Sequence, residues 1–154
     1  MNARGQVVGY SHTSAKAAYP AFLYVDGSMQ DLGTLGGEQS QSNGINVLDQ
    51  VVGQSEIAAG APHGFLYGGG KTADLNTLDT SRPPAQYVTL VTATGIKGSG
   101  RIVGNGFDAQ TGYAQADLLV PLDRRTGIGA RPNRDWRELR ARVAARERFR
   151  WGRR

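Results

Sequence analysis

Short β-branched runs bounded by glycine recur along the first four-fifths of this chain, and each is too brief for a helix. "QVVG" at 50–53 and "RIVG" at 101–104 are of this kind, and "AFLYV" at 21–25 sets Phe22 and Tyr24 on one side against Leu23 and Val25 on the other. A strand apolar on both sides predicts that both faces meet other layers. Two dipeptides then predict the turns. Asp26-Gly27 follows "AFLYV" and Gly69-Gly70 follows "GFLY", and both suit the positive φ angles of a two-residue type I′ hairpin.

These segments are copies of one another. "NARGQVVGYS" (2–11) matches "NVLDQVVGQS" (46–55) at an offset of 44, and "GIKGSGRIVGNG" (95–106) is a third copy 51 further on. "PAFLYVDGSMQDLGTL" (20–35) likewise matches "HGFLYGGGKTADLNTL" (63–78), with "QADLLVPL" (115–122) as a worn version. Gly5, Asp49 and Gly100 fall in register before the "VVG" strand, and all three residue types tolerate a left-handed backbone. In "DLGTLGG" (31–37) the leucines are expected to dip into the core while the glycines turn the chain toward the next unit. Its Asp and Thr are expected to hydrogen-bond the turn's own backbone. A phosphate cradle is the weaker reading, because strand signals follow instead of a helix.

The fold class that results is all-β: a partial β-propeller-like array of about three short four-stranded units, with a basic C-terminal tail that is helical or disordered. The units run over about 2–44, 45–92 and 93–122, and the tail over 123–154. The first unit begins inside the repeat at Asn2 and the third stops after "LLVPL". Fewer units remain than the roughly four blades a closed propeller needs. A truncated gene product is the favoured expectation, ahead of an open stack or closure through another copy. Further repeats or self-association are the partners expected to cover exposed sheet faces.

The succession "AFLYVDGSMQDLGTLGGEQSQSNGINVLDQVVGQS" followed by "HGFLY" resembles the HAF repeat family of bacterial proteins, described as extracellular and named for a His-Ala-Phe tripeptide. The tripeptide positions here read Pro20-Ala21-Phe22, His63-Gly64-Phe65 and Gln115-Ala116-Asp117, so none keeps all three residues. The Asp-Leu-Gly-Thr-Leu-Gly-Gly and Gly-Ile-Asn…Val-Val-Gly parts are intact, and the resemblance covers about residues 2–122. It implies a secreted or surface-exposed, propeller-like protein with no assigned reaction. Asp117 departs from it, standing where a core Phe is expected.

Composition sharpens this picture at three points. Glycine supplies 22 of 154 residues, about twice its usual share of roughly 7%, as many tight turns require. There is no cysteine, which excludes disulfides and thiolate metal sites. The net charge of +5 divides unevenly: residues 1–123 carry six Lys/Arg against ten Asp/Glu, a balance of −4, and residues 124–154 carry twelve Arg against three acids, a balance of +9. No apolar stretch approaches the roughly 20 residues needed to cross a bilayer, and the N-terminus lacks the apolar core of a signal peptide.

Catalytic, cofactor and metal residues are not legible. His12 reads as a loop residue, and His63 as packing or bonding the backbone without a catalytic partner. Neither "GYSHT" nor "GQSEI" has the strained Gly-x-Ser-x-Gly nucleophile turn. "GGGKT" (68–72) lacks the first glycine of a phosphate loop and aligns with a hairpin. Asp26, Asp31, Asp49 and Asp74 fit turns and not a calcium loop.

The tail is expected to cap at Asn133 or Asp135 and run as a helix to about Phe149, with Trp136, Leu139 and Val143 on one side and Glu138 placed four before Arg142. Its leading reading is a solvated extension, or sequence appended by a changed reading frame. The functional alternative is binding of nucleic acid or an anionic membrane surface through Arg137, Arg140, Arg142, Arg146, Arg148 and Arg150. The main expectation is a non-enzymatic extracellular repeat protein, or a fragment of one, binding a partner or glycan through exposed loops.

Overall fold

The computed structural model describes residues 1–12, 18–78, 88–121 and 143–149, the last as a backbone strand. They form three antiparallel sheets, none closed into a barrel. Sheet one has β1 (Val7–Tyr10), β2 (Ala21–Val25) and β3 (Ser28–Asp31) in that order. Sheet two has β4 (Gly36–Ile45), β5 (Val51–Ile57), β6 (Pro62–Gly68) and β7 (Lys71–Asp74). A single helical turn, α1 (Leu75–Leu78), leads on to sheet three, where β8 (Val88–Ile96), β9 (Ile102–Asp108), β10 (Tyr113–Pro121) and β11 (Val143–Phe149) lie in the order β11-β10-β9-β8.

The local signals act as the sequence predicts. Asp26 and Gly27 have φ of 50° and 82°, and Gly69 and Gly70 have 59° and 81°. They close hairpins between Val25 and Ser28 and between Gly68 and Lys71, so both loops are two residues long with positive φ throughout. Gly5, Asp49 and Gly100 share φ values of 76°, 61° and 78°. In "DLGTLGG" Leu32 is buried and Leu35 packs on the same cluster. Asp31 Oδ1 accepts from Gly33 N at 2.7 Å, and Thr34 Oγ1 donates to Gly37 O at 2.8 Å. The second copy, "DLNTL", lacks the glycines and closes into α1, with Leu75 and Leu78 buried where Leu32 and Leu35 stand in the first.

The sheets stack by one rule. Alternate residues of a strand point to opposite faces, so the cross-strand pairs Val51↔Tyr67 and Gly53↔Phe65 share a front face of sheet two, and Val52↔Leu66 its back face. The front face joins Ala21, Leu23 and Val8 of sheet one in one core cluster. The back face joins Leu90, Ala93, Ile102 and Leu119 of sheet three in the other. Among the described residues, sheet two is therefore covered on both faces, while sheets one and three are each covered on one. Phe65 lies over Gly53, where an added Cβ would stand 2.8 Å from the ring Cε1. Phe22 lies over Gly9 in the same way, at 3.0 Å.

Three expectations need correction. The Phe22 and Tyr24 side of "AFLYV" meets no layer among the described residues: Tyr24 is 40% exposed, against 7% for Tyr67 at the equivalent place. The alternation predicted a second neighbour that only the second copy has.

The tail expected as a helix through Phe149 is extended over Val143–Phe149 and pairs with β10, Leu119 facing Arg146 and Asp117 facing Arg148. The outer edge of β10 would otherwise leave its N–H and C=O groups unpaired, and a local helix signal does not register that demand. For the same reason the third unit does not stop at "LLVPL": β11 lies beside β10 as β7 lies beside β6. The remainder of the tail lies outside the described residues.

Candidate functional site

Two sets of polar residues organise the molecule beyond its cores. The first is a repeated asparagine turn. Asn46 Oδ1 accepts from Leu48 N (2.9 Å) and Gln50 N (3.1 Å), and its Nδ2 donates to Gln50 Oε1 (2.7 Å). Asn2 repeats these contacts on Arg4 N, Gln6 N and Gln6 Oε1. Each amide also reaches the next unit: Asn2 Nδ2 donates to Asn46 O at 2.9 Å, and Asn46 Nδ2 donates to Lys97 O at 3.1 Å. Lys97 holds the third place in this ladder. The Asn-x-x-x-Gln spacing stands in the aligned copies "NARGQ" and "NVLDQ", and it was the available signal for a network that strand patterning misses.

The second set lines an open cleft of about 350 Å³ between sheets one and two. Tyr10 and Tyr19 come from β1 and from the segment before β2, Gln39 and Gln41 from β4, and Gln54 and Glu56 from β5. Tyr10 meets Tyr19 edge to face with ring centroids 6.2 Å apart, and His12 covers Tyr19 at 3.8 Å. Tyr10 remains 52% exposed and offers an apolar ring with a polar tip. Ser40 and Ser55 also line the cleft, but their hydroxyls are committed: Ser40 Oγ donates to Gly33 O and accepts from Ala21 N, and Ser55 Oγ accepts from Leu35 N at 2.9 Å. What faces the cleft is thus amide, carboxylate and aromatic surface. No sequence pattern marks it, because its residues meet only once the two sheets stack.

His63 has a partner after all, which corrects the expectation that it lacks one. Its Nδ1 lies 2.7 Å from Asp74 Oδ2, and both side chains are largely covered. Ser55 faces His63 in the β5–β6 register, so the residue types of a nucleophilic triad share one neighbourhood. The hydroxyl is tied to the backbone and Ser55 is 1% exposed, and Asp74 also holds Asn76 N through its Oδ1. A nucleophile needs a free, reachable oxygen hydrogen-bonded to its base. The arrangement instead fastens α1 to sheet two.

"GGGKT" forms the β6–β7 hairpin and leads into a strand, so it offers no helix N-terminus to a phosphate. Among the described residues there is no cluster of three or more His, Asp or Glu able to hold a metal ion, and no helix long and apolar enough to cross a membrane. Asp117 takes the place of Phe65 in sheet three, where it is 2% exposed and partnered. Of the tail arginines, Arg146 and Arg148 lie on β11; Arg137, Arg140, Arg142 and Arg150 lie outside the described residues.

The fold is thus an all-β stack of repeated sheets with a polar, aromatic-edged cleft. Comparison of the chain with family models, with curated proteins and with solved structures gives no match.

Proposed function

We propose that this chain is a non-enzymatic, extracellular binding protein, a propeller-like partial array whose cleft between sheets one and two takes a neutral, hydroxyl-rich ligand of the oligosaccharide class. The observation that carries the reading is the lining: three glutamines and Glu56 around the exposed ring of Tyr10. Side-chain amides donate and accept at once and suit hydroxyl groups. An aromatic ring provides the apolar surface on which the carbon face of a sugar rests. Glu56 and the −4 balance of residues 1–123 disfavour an anion here. The resemblance to HAF repeats and the front-to-back stacking support the extracellular and propeller-like parts.

Titration calorimetry with a panel of neutral oligosaccharides tests the proposal. The expected result is binding by at least one of them, weakened about tenfold by Tyr10→Ala, which is near 1.4 kcal/mol, with no new reducing ends released. Absence of binding across the panel, or affinity indifferent to both Tyr10→Ala and Gln54→Ala, would refute the cleft; release of reducing ends would refute the non-enzymatic assignment.

A further inference from the structure

The stacking rule has two loose ends. Within the chain, the back-face pair Val8↔Leu23 of sheet one seats the front face of sheet two, and the back-face pair Val52↔Leu66 of sheet two seats the front face of sheet three. Sheet three repeats the pair as Val103↔Leu118. That back face meets no further layer among the described residues: Val103 is 48% exposed and Phe107, on the same side, 45%.

Sheet one repeats the opposite half. Its front face carries Val7↔Tyr24 and Gly9↔Phe22, the same residues that sheet two presents as Val51↔Tyr67 and Gly53↔Phe65. In sheet two they are buried; in sheet one Tyr24 is 40% and the neighbouring Met29 61% exposed. One end of the stack is therefore a duplicate of a surface that seats a Val-Leu back face, and the other end is a Val-Leu back face.

We propose that a second copy of this chain covers both ends, the front face of sheet one in each copy seating the back face of sheet three in the other. The occupant follows from continuity with the two interfaces already built inside the chain. Polarity is fixed as well, since front meets back and never front. Two copies joined in this sense bring six sheets into one ring, within the roughly four to eight blades that close such rings, and both contacts are then satisfied by one two-fold arrangement.

The asparagine ladder runs in the same direction. Asn2 donates to Asn46 O, Asn46 donates to Lys97 O, and Lys97 is the exposed residue at the next place of that ladder. This pairing of copies does not depend on any ligand in the cleft.

Sedimentation equilibrium of the full chain decides it. The expected mass is twice 16.5 kDa and stays there as concentration rises. Tyr24→Glu with Met29→Glu, on the front face, and Val103→Glu with Phe107→Glu, on the back face, should each give monomers, because either change removes both contacts of the ring. All four side chains are at least 40% exposed, so circular dichroism should show both variants folded.

Mixing the two variants restores one unaltered front-to-back contact and should produce a one-to-one heterodimer. A monomeric wild type overturns the proposal, as does a front-face variant that still dimerises. A mass that keeps growing with concentration overturns the closed ring, and a mixture that remains monomeric overturns the front-to-back polarity.

Discussion

Sheets one and two carry nearly the same strands and differ in what they touch. Val7, Phe22 and Tyr24 repeat Val51, Phe65 and Tyr67 on the same face and in the same register, yet Phe65 is 1% exposed and Phe22 only half-buried. The strands form in both because strand and turn formation answer to local residues. Burial does not, because it requires a second surface, and among the described residues the front face of sheet two has one that the front face of sheet one lacks. The comparison separates what a repeat unit contributes by itself from what its position in the stack adds.

The two faces should differ most at their equivalent phenylalanines. Phe65→Ala should cost about 3–5 kcal/mol, the loss of a fully buried aromatic plus the cavity left behind. Phe22→Ala should cost about 1–2 kcal/mol, since that residue is only partly buried and contributes correspondingly less buried area. Urea unfolding on a background of Val103→Glu with Phe107→Glu, where copies are expected to stay apart, measures both. Equal losses would show that the front face of sheet one is covered within a single chain.

The two asparagine turns should differ in the same sense, by less. Asn46 is 4% exposed, and four hydrogen bonds converge on its side chain. Asn46→Ala leaves the buried Gln50 and the Lys97 carbonyl short of a partner, for about 2–3 kcal/mol. Asn2→Ala removes the same set from a half-buried site nearer the solvent, where water replaces part of it, and should cost about 1 kcal/mol. Hydrogen exchange at the amides of Leu48 and Gln50, compared with Arg4 and Gln6, reports the two turns separately. Equal loss of protection in the two variants would show that depth in the stack does not govern these turns.

How much of this could be read from the chain follows the same division. Asp26-Gly27, Gly69-Gly70 and the Gly5, Asp49 and Gly100 turns were legible because each residue must satisfy a backbone angle in its own neighbourhood. The tail strand was not, because what makes 143–149 extended is the open edge of β10, more than twenty residues earlier in the chain. The single turn of α1 fell between the two. The copy "DLNTL" aligned with "DLGTL", but only the loss of glycine distinguished a helical turn from an extended joint. The cleft was the least legible feature, since Tyr10, Gln39 and Gln54 come from three strands of two sheets and no one of them has a telling neighbour in sequence.

The ion pair at the joint itself should matter least. Arg4 Nη1 sits 2.9 Å from Asp49 Oδ1 and 3.1 Å from Oδ2, tying the first turn to the second, with both side chains about half exposed at 53% and 45%. At the corresponding places in the next joint stand Leu48 and Gly100, so that place has no such pair, and the join between sheets two and three is held by its apolar cluster, by Asn46 on Lys97 O and by Asn43, which donates to Ala93 O at 2.9 Å. An exposed pair of this kind contributes about 0.2–1 kcal/mol and is screened by salt. Arg4→Ala should therefore lower stability by less than either asparagine change, with the difference from wild type vanishing in molar salt. A loss that persists at high salt would mean that the arginine stem packs across the joint, making the first interface less dependent on charge than its geometry indicates.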